Sequence, residues 1–265
     1  MGTRWSKMQA QMDTYLSNRK SIVPLNIAVL GLYHAAKSSN VNTFLNVVDY
    51  RSDQRFRKVA STAEGEQHTL LVRKYEEIAM AGRNFYLFDT PGFREMAELQ
   101  SEDGEMSVIQ SVIGGIERKS TAVPPRYAPE NRIEAVIVCV AADTTPAKLK
   151  IVAEMCRQLR ETGVPCCHVM TCADSIDDEK VKAAIRSDDS KAFQEAVRKT
   201  PQWTAFREAC GNSDSCWALH NYLAESGQKY EFKYTTSQAV TDIACAAVTY
   251  ALSYRTQHGV PKKES

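Results

Sequence analysis

The amino-acid sequence predicts an α/β fold of three layers, in which helices cover a doubly wound, mostly parallel sheet with one antiparallel edge strand. The first observation is a pair of short, largely apolar runs at residues 26–30 and 133–140, which is the pattern of strands buried on both faces. The second is that segments of helical periodicity, such as 37–48 and 147–160, alternate with the apolar runs. This alternation favours a parallel sheet covered on both sides by helices.

The elements follow one another along a single predicted domain at residues 22–254. A short amphipathic helix is predicted within an N-terminal extension at 1–21, and a flexible tail at 255–265. Strands are predicted at 26–30, 70–79, 85–88, 133–140, 165–170 and 216–220. Helices are predicted at 37–48, 106–116, 147–160, 177–198, 201–210 and 236–254. The polar segment 49–69 is a long loop, and such loops in compact domains are often functional.

The composition of the 265-residue chain is that of a globular protein, with 43% hydrophobic and 25% charged residues. The 33 lysines and arginines balance 32 aspartates and glutamates. This neutral balance argues against a nucleic-acid-binding protein. No apolar run reaches the ~20 residues of a membrane-spanning helix, so we expect no stable membrane insertion. Gly2 lies in a weak match to the myristoylation pattern.

The eight cysteines have no C-x-x-C spacing, and residues 1–20 lack the apolar segment of a signal peptide. Cysteines in apolar runs, such as Cys139, behave as small hydrophobic residues. We therefore expect reduced thiols in a cytoplasmic protein. Cys166, Cys167 and His168 are consecutive, but neighbours on a strand face opposite ways. At most two of the three could share a metal, so a structural role is favoured.

The segment between the first strand and the first long helix, residues 31–38, matches G-x-x-x-x-G-K-[S/T] except that Ala36 replaces the second glycine. In this pattern, backbone N–H groups at a helix N-terminus surround a nucleotide phosphate. The lysine, here Lys37, reaches the β- and γ-phosphates, and the hydroxyl, here Ser38, binds Mg²⁺. Taken alone, the segment could also be an ordinary strand–turn–helix with a solvated lysine.

Two further motifs also follow predicted strands. In Asp89-Thr90-Pro91-Gly92, Asp89 could hold Mg²⁺ through water and Gly92 could offer its N–H to the γ-phosphate, although the same residues also suit a plain turn. Thr171-Cys172-Ala173-Asp174 resembles the [NT]-K-x-D element of guanine-nucleotide proteins, with Cys172 in the lysine position. Asp174 could accept hydrogen bonds from guanine, or could simply cap the next helix. Ligands of such sheets bind at the carboxyl ends of the strands, where all three motifs lie.

In this order, the three motifs make the chain similar to a P-loop GTPase domain over residues 22–254. Within that class the chain most resembles the interferon-induced protein 44 family. The segments that carry this resemblance are an N-terminal helix with Met12-Asp13, residues 37–39 followed by 42–44, residues 88–92, residues 112–115 ahead of a proline-rich loop, and residues 219–222.

The resemblance implies GTP or GDP and Mg²⁺ as cofactors, with site residues in four groups. The implied phosphate cradle is Gly31, His34, Ala35, Ala36, Lys37, Ser38 and Ser39, together with Gly92. The implied Mg²⁺ ligands are Ser38, Thr69 and Asp89, with Thr62 as the runner-up for Thr69. The implied catalytic residues are Lys37 and Thr69, and the implied base-binding residues are Thr171, Asp174 and Asn221, with His220 nearby.

The resemblance also implies a cytoplasmic protein of the immune or stress response, with an unidentified protein partner. Because GTPase-like domains often dimerise across the nucleotide face, a homodimer is a further expectation. Phe93 stands where fast switches carry a water-orienting glutamine, so weak or absent GTP hydrolysis is expected. Ala36 and Cys172 leave open an alternative, a nucleotide-free pseudo-GTPase that acts as an interaction scaffold. A P-loop kinase that uses ATP is a third, less favoured interpretation.

Overall fold

The computed structural model describes residues 24–48, 60, 73–74, 78–80, 83–99, 108–117, 126–127, 129–220 and 234–260. The predicted N-terminal extension, including Gly2, and residues 261–265 of the predicted tail lie outside these ranges. Most of the predicted loop at 49–69 also lies outside them.

Five strands form the parallel part of the central sheet, and the predicted α/β class is confirmed. In spatial order they are β4 (Arg83–Asp89), β1 (Leu25–Gly31), β7 (Ala135–Ala141), β8 (Cys166–Thr171) and β9 (Cys216–Ala218). Two short strands, β2 (Arg73–Lys74) and β3 (Ile78–Met80), pair antiparallel with β4. They lie where the sequence predicts one continuous strand at 70–79. A separate two-stranded ribbon joins β5 (Ile116–Glu117) to β6 (Arg126–Tyr127).

The two central strands are apolar except for Asn26 of β1, because both of their faces are covered. Every residue of β1 and of β7 is buried. Their register pairs Ile27 with Ala135 and Gly31 with Cys139. Gly31 has φ +154°, and a Cβ there would overlap the Cys139 carbonyl oxygen. Only glycine permits this close approach at the point where β1 ends.

Seven α-helices are described around the sheet. They are α1 (Lys37–Val48), α2 (Val108–Gly114), α3 (Pro146–Thr162), α4 (Glu179–Ser187), α5 (Ser190–Val197), α6 (Pro201–Ala209) and α7 (Tyr234–His258). The sequence predicts one mostly helical segment at 177–198, where the structure has α4 and α5. Asp188 ends α4 in a left-handed conformation with φ 52°, and the Asp189 side chain then accepts from Ala192 N–H to cap α5.

The C-terminal end of helix α7 contacts the edge of the sheet where β1 and β7 begin. This edge is opposite the strand ends that carry the motifs. Helix α7 extends to His258, beyond the predicted end at residue 254. Arg255, in its last turn, forms a buried ion pair with Glu134, which lies immediately before β7. The Arg255 guanidinium also donates to the Pro24 carbonyl over 2.7 Å, and Glu134 accepts from Asn26 N–H over 3.0 Å. These contacts join α7, β1 and β7 where two strands begin.

None of the described helices combines the length and apolar character needed to cross a bilayer. All eight cysteines are free thiols.

Candidate functional site

The segment from Gly31 to Ala36, which joins β1 to α1, is the predicted phosphate-binding loop and has an unusual backbone conformation. Three of its residues have positive φ angles: Gly31 at 154°, His34 at 62° and Ala36 at 51°. Alanine in the left-handed region costs roughly 1–2 kcal/mol relative to its preferred conformations. Ala36 nevertheless adopts the conformation that a glycine at this position would favour, so the missing glycine does not remove the loop geometry.

This loop presents N–H donors at the start of α1. The backbone N–H groups of His34, Ala36 and Lys37 have no hydrogen-bond acceptor among the described residues. Ala35 N–H, by contrast, donates to the Leu32 carbonyl over 3.2 Å. Unpaired N–H groups at a helix N-terminus form an anion-binding site, because the helix dipole and the donors act in the same direction.

The side chain of Lys37 lies within the loop and is 8% exposed. Its ammonium group donates to the Leu32 carbonyl over 2.9 Å. Burial lowers the pKa of Lys37, and the negative charge of Asp89 opposes this shift. A Cβ on Gly92 would lie 2.8 Å from Lys37 Nζ and 2.6 Å from Tyr33 Cα. The residue after Thr90-Pro91 must therefore be a glycine for the two motifs to meet.

Ser38 and Asp89 bring the first two motifs together. Ser38 Oγ donates to Asp89 Oδ2 over 2.8 Å, and Asp89 is fully buried at the end of β4. The adjacent turn is held because Thr90 Oγ1 donates to the Val29 carbonyl of β1 over 2.8 Å. A hydroxyl and a carboxylate are oxygen ligands of the kind that Mg²⁺ takes in proteins together with water and substrate phosphates. The donor set therefore fits Mg²⁺.

Phe93 pairs with the loop through its backbone. Tyr33 N–H donates to the Phe93 carbonyl over 2.8 Å, and Phe93 N–H donates to the Gly31 carbonyl over 3.3 Å. The Phe93 side chain is buried in the core. Next to it, the Arg94 guanidinium lies 4.5 Å from the centre of the Tyr33 ring. The residues after Gly92 therefore pack against one side of the loop.

The third motif contacts the loop from the other side. Thr171 Oγ1, at the end of β8, donates to the Ala35 carbonyl over 3.0 Å. Cys172 has φ 53°, and burial raises the pKa of its thiol to about 11. The left-handed turn at Cys172 directs the chain into a 3₁₀ turn, Ala173–Ser175, that carries Asp174. His220 Nε2 lies 3.9 Å from Asp174 Oδ2.

The structure thus brings most of the predicted residues to the carboxyl edge of the sheet. Gly31, the 34–39 segment, Asp89 and Gly92 meet at the ends of β1 and β4, and Thr171 lies beside them at the end of β8. Thr69, its runner-up Thr62 and Asn221 lie outside the described residues. The sequence did not predict that the Leu32 carbonyl accepts from Lys37 or that Tyr33 N–H donates to Phe93. Every residue has these backbone atoms, so the residue type does not indicate such contacts.

Cys139 shows why a cysteine suits the neighbouring strand. Its side chain is fully buried under the loop, and burial raises the pKa of its thiol to about 12. Asn40 Nδ2 lies 3.4 Å from its sulfur and links α1 to β7. The thiol acts as a small, neutral core group, as expected from its apolar run.

No protein-family model and no curated protein sequence matches the chain. Solved structures do resemble it. The crystal structure of Toc33 from Arabidopsis thaliana in complex with Mg²⁺ and GMPPNP has 14% identity and a TM-score of 0.53, and the match covers 100% of this chain and 97% of that chain. Toc33 in complex with GDP and Mg²⁺ has 16% identity and a TM-score of 0.49, covering 91% and 92%. A probable GTP-binding protein, engB, has 15% identity and a TM-score of 0.40, covering 74% and 88%. At 14% identity the likeness to the first structure shows the fold alone: the chain has a P-loop GTPase-like α/β fold.

Proposed function

We propose that the chain binds GTP and GDP together with Mg²⁺ and hydrolyses GTP slowly or not at all. The observation that carries the proposal is the hydrogen bond from Ser38 to Asp89, 2.8 Å long, beside the buried ammonium of Lys37. In this proposal Ser38 and Asp89 are the Mg²⁺ ligands and Lys37 is the phosphate-binding cation, and the unpaired N–H groups of the loop support these roles. The Toc33 structure that contains GMPPNP and Mg²⁺ supports the same ligand class.

Each side chain of the phosphate end has one role in this proposal. The N–H groups of His34, Ala36 and Lys37 donate to phosphate oxygens, and the Lys37 ammonium exchanges the Leu32 carbonyl for a phosphate. Ser38 and Asp89 hold Mg²⁺, with Thr69 proposed as a further ligand. When bound, Mg²⁺ neutralises phosphate charge and orients the phosphate groups.

Guanine recognition is proposed for the edge formed by the ends of β8 and β9. The Asp174 carboxylate accepts from the N1–H and the 2-amino group of guanine, a pair of donors that adenine lacks. Thr171 contributes by tying this edge to the phosphate loop at Ala35. The position of Asp174, at the surface and at the end of β8, supports this role. Asn221 is proposed as a neighbour of the base.

Slow hydrolysis follows from Phe93. Its side chain has no group that can orient water, and it is buried in the hydrophobic core. Its backbone is paired with Gly31 and Tyr33. Single-turnover release of phosphate from GTP measures this step, and a rate comparable to that of a fast switch would contradict the assignment.

Membership of the interferon-induced protein 44 family is also a proposal. It rests on the sequence segments that resemble this family, and it carries with it a cytoplasmic location, an immune or stress role, and a protein partner or homodimer. The domain division is proposed as an extension at 1–21, a domain from residue 22 and a C-terminal tail; the predicted tail start at 255 lies within helix α7, which ends at His258. Myristoylation of Gly2 is a further proposal. Co-precipitation of the full chain from stimulated and resting animal cells tests the association with the immune response.

Titration calorimetry with GTP, GDP and ATP in the presence of Mg²⁺ tests the binding proposal. We expect GTP and GDP to bind, and ATP to bind at least about tenfold more weakly. Lys37→Ala should weaken binding of both guanine nucleotides by tenfold or more, because it removes the cation that meets the phosphates. Lys148→Ala, which changes an exposed lysine of α3, is the matched control. Absence of heat and of a thermal shift with every nucleotide would overturn the proposal.

The alternative function, a nucleotide-free pseudo-GTPase that acts as a scaffold, is favoured by a specific feature of the loop. Lys37 Nζ donates to Leu32, and Tyr33 N–H donates to Phe93. These groups are therefore satisfied within the chain, so binding a phosphate has to break contacts that already exist. The calorimetric experiment separates the two functions, because the alternative predicts no heat with any nucleotide.

A further inference from the structure

Three buried side chains from separate elements meet between α3 and the sheet. Cys156 lies on α3, His168 lies in the middle of β8, and Cys210 directly follows α6. One ligand atom from each lies within 4.8 Å of those of the other two. The three residues are between 1% and 6% exposed. They belong to none of the three nucleotide motifs.

The imidazole in this group is poorly satisfied by the protein itself. His168 Nδ1 is buried and has no hydrogen-bond partner in the described part of the chain. Buried polar atoms are nearly always hydrogen bonded, so such a nitrogen requires an explanation. Thiols are weak donors and weak acceptors, and they satisfy an imidazole poorly. An imidazole nitrogen and two sulfurs are, however, the ligand types that zinc prefers.

Two more sulfurs lie on the same face of the sheet. Cys166 is two residues before His168, so both side chains project from the same face of β8. Cys216 of β9 is the register partner of His168. Their sulfurs now donate weakly to main-chain carbonyls, Cys166 to Val164 over 3.4 Å and Cys216 to Ser213 over 3.1 Å. Rotation of either side chain could direct a fourth ligand toward the group.

We propose that Cys156, His168 and Cys210 form a zinc site, and that Cys166 or Cys216 provides the fourth ligand. With Zn–S bonds of about 2.3 Å, tetrahedral ligand atoms lie roughly 3.8 Å apart. The ligand atoms now lie within 4.8 Å of one another, so their separations need to close by at most about 1 Å. On binding, each coordinating thiol loses its proton to solvent and becomes a thiolate, and no electron is transferred.

The zinc site is structural in this proposal. Its ligands come from α3, β8 and the end of α6, which otherwise meet through apolar side chains such as Met155 and Phe206. A metal would fasten two helices of one layer to the sheet. The sequence does not reveal the site because its ligands are separated by 12 and 42 residues instead of the short spacings typical of zinc motifs.

Cobalt substitution of the full chain tests the proposal. The protein is reduced, freed of metal and titrated anaerobically with Co²⁺, whose spectrum reports thiolate ligands and tetrahedral geometry. We expect one Co²⁺ per chain, a thiolate-to-Co²⁺ charge-transfer band, and displacement by one equivalent of Zn²⁺. Cys156→Ser and Cys210→Ser should each weaken binding by about tenfold or more. Cys166→Ser and Cys216→Ser identify the fourth ligand, because only one of them should weaken the charge-transfer band.

Cys245→Ser, on helix α7, which provides none of the proposed ligands, is the matched control and should bind Co²⁺ like the wild type. If the serine variants fail to fold, the wild-type spectrum still decides, because uptake without a thiolate band overturns the proposal. Folded, reduced protein that takes up no Co²⁺ also overturns it. So does a Cys156–Cys210 disulfide found by peptide mapping in protein that binds no Co²⁺ after reduction.

Discussion

Ser38 Oγ and Asp89 Oδ2 lie 2.8 Å apart, although 51 positions separate the two residues in the chain. The hydrogen bond joins the start of α1 to the end of β4. It also places a hydroxyl next to a carboxylate that is fully buried. These two residues would hold a divalent cation, Ser38 through its hydroxyl and Asp89 through water, and the cation would neutralise phosphate charge.

Ser38→Ala should weaken binding of GDP by about tenfold in the presence of Mg²⁺ and should have little effect in EDTA, because the hydroxyl acts through the cation. Fluorescence titration with a labelled GDP under both conditions measures the difference. Ser187→Ala, at an exposed position at the end of α4, is the control. Equal weakening with and without Mg²⁺ would show that Ser38 does not act as a metal ligand.

Ala36→Gly should raise the free energy of unfolding and tighten nucleotide binding. The substitution relieves the strain of alanine at φ 51°. Part of the gain is lost to the greater entropy of glycine in the unfolded chain, so we expect a net gain of about 0.5–1 kcal/mol. Urea unfolding and calorimetry measure the two effects. Ala35→Gly is the matched control and should destabilise, because Ala35 is buried and has no positive φ. A less stable or more weakly binding Ala36→Gly variant would contradict our account of the loop.

Gly31→Ala should destabilise the protein by about 3 kcal/mol or more, because the added methyl group meets the Cys139 carbonyl and the backbone has φ +154°. Denaturant unfolding gives the value. Gly114→Ala, at the end of α2, is the comparison: nothing lies within 4 Å of its added Cβ. That variant should unfold at the same or slightly higher denaturant concentration, and a similar loss in both variants would refute the steric explanation.

Asp174→Asn should shift nucleotide preference from guanine toward xanthine. The amide presents a donor as well as an acceptor, and xanthine carries a carbonyl where guanine has its amino group. We expect GDP binding to weaken at least tenfold while xanthosine diphosphate binding improves, as measured by competition with a labelled nucleotide. Asp178→Asn, at the cap of α4, serves as a control for a changed charge nearby. Unchanged base preference in Asp174→Asn would remove Asp174 from the base site.

Arg255→Met should cost about 3–5 kcal/mol of the free energy of unfolding, because it leaves the fully buried Glu134 carboxylate without its partner. The double variant Glu134→Gln/Arg255→Met should recover part of the loss, since no uncompensated charge remains. Arg157→Ala, which breaks exposed pairs with Glu154 and Glu161, should leave unfolding unchanged. Urea denaturation of the four proteins tests whether the loss belongs to the buried charge.

The order of elements and the three motifs could be predicted from the sequence because they are local. A strand buried on both faces is mostly apolar, as 27–30 and 135–140 are, and residues that end such strands meet at one edge of the sheet. Helix ends were less predictable. The break between α4 and α5 depends on Asp188 adopting a left-handed conformation, which its residue type permits and does not require.

Position along the chain says little about contacts between distant segments. The backbone pairing of Phe93 with Gly31 and Tyr33 involves atoms that every residue has, so no residue type announces it. Whether Ala36 could take the place of a glycine was likewise undecided by the sequence, because φ is set by the surrounding loop. The structure has it at 51°.

The sequence by itself therefore determined the α/β class and the candidate phosphate, metal and base residues, because alternating periodicity and short motifs are properties of neighbouring residues. Only the tertiary structure decided that Ser38 meets Asp89 and that Thr171 holds the loop at Ala35. It also gathered Cys156, His168 and Cys210 into one buried group. Such contacts arise when packing of the sheet and helices buries apolar surface, and that packing brings together side chains that are far apart in the chain.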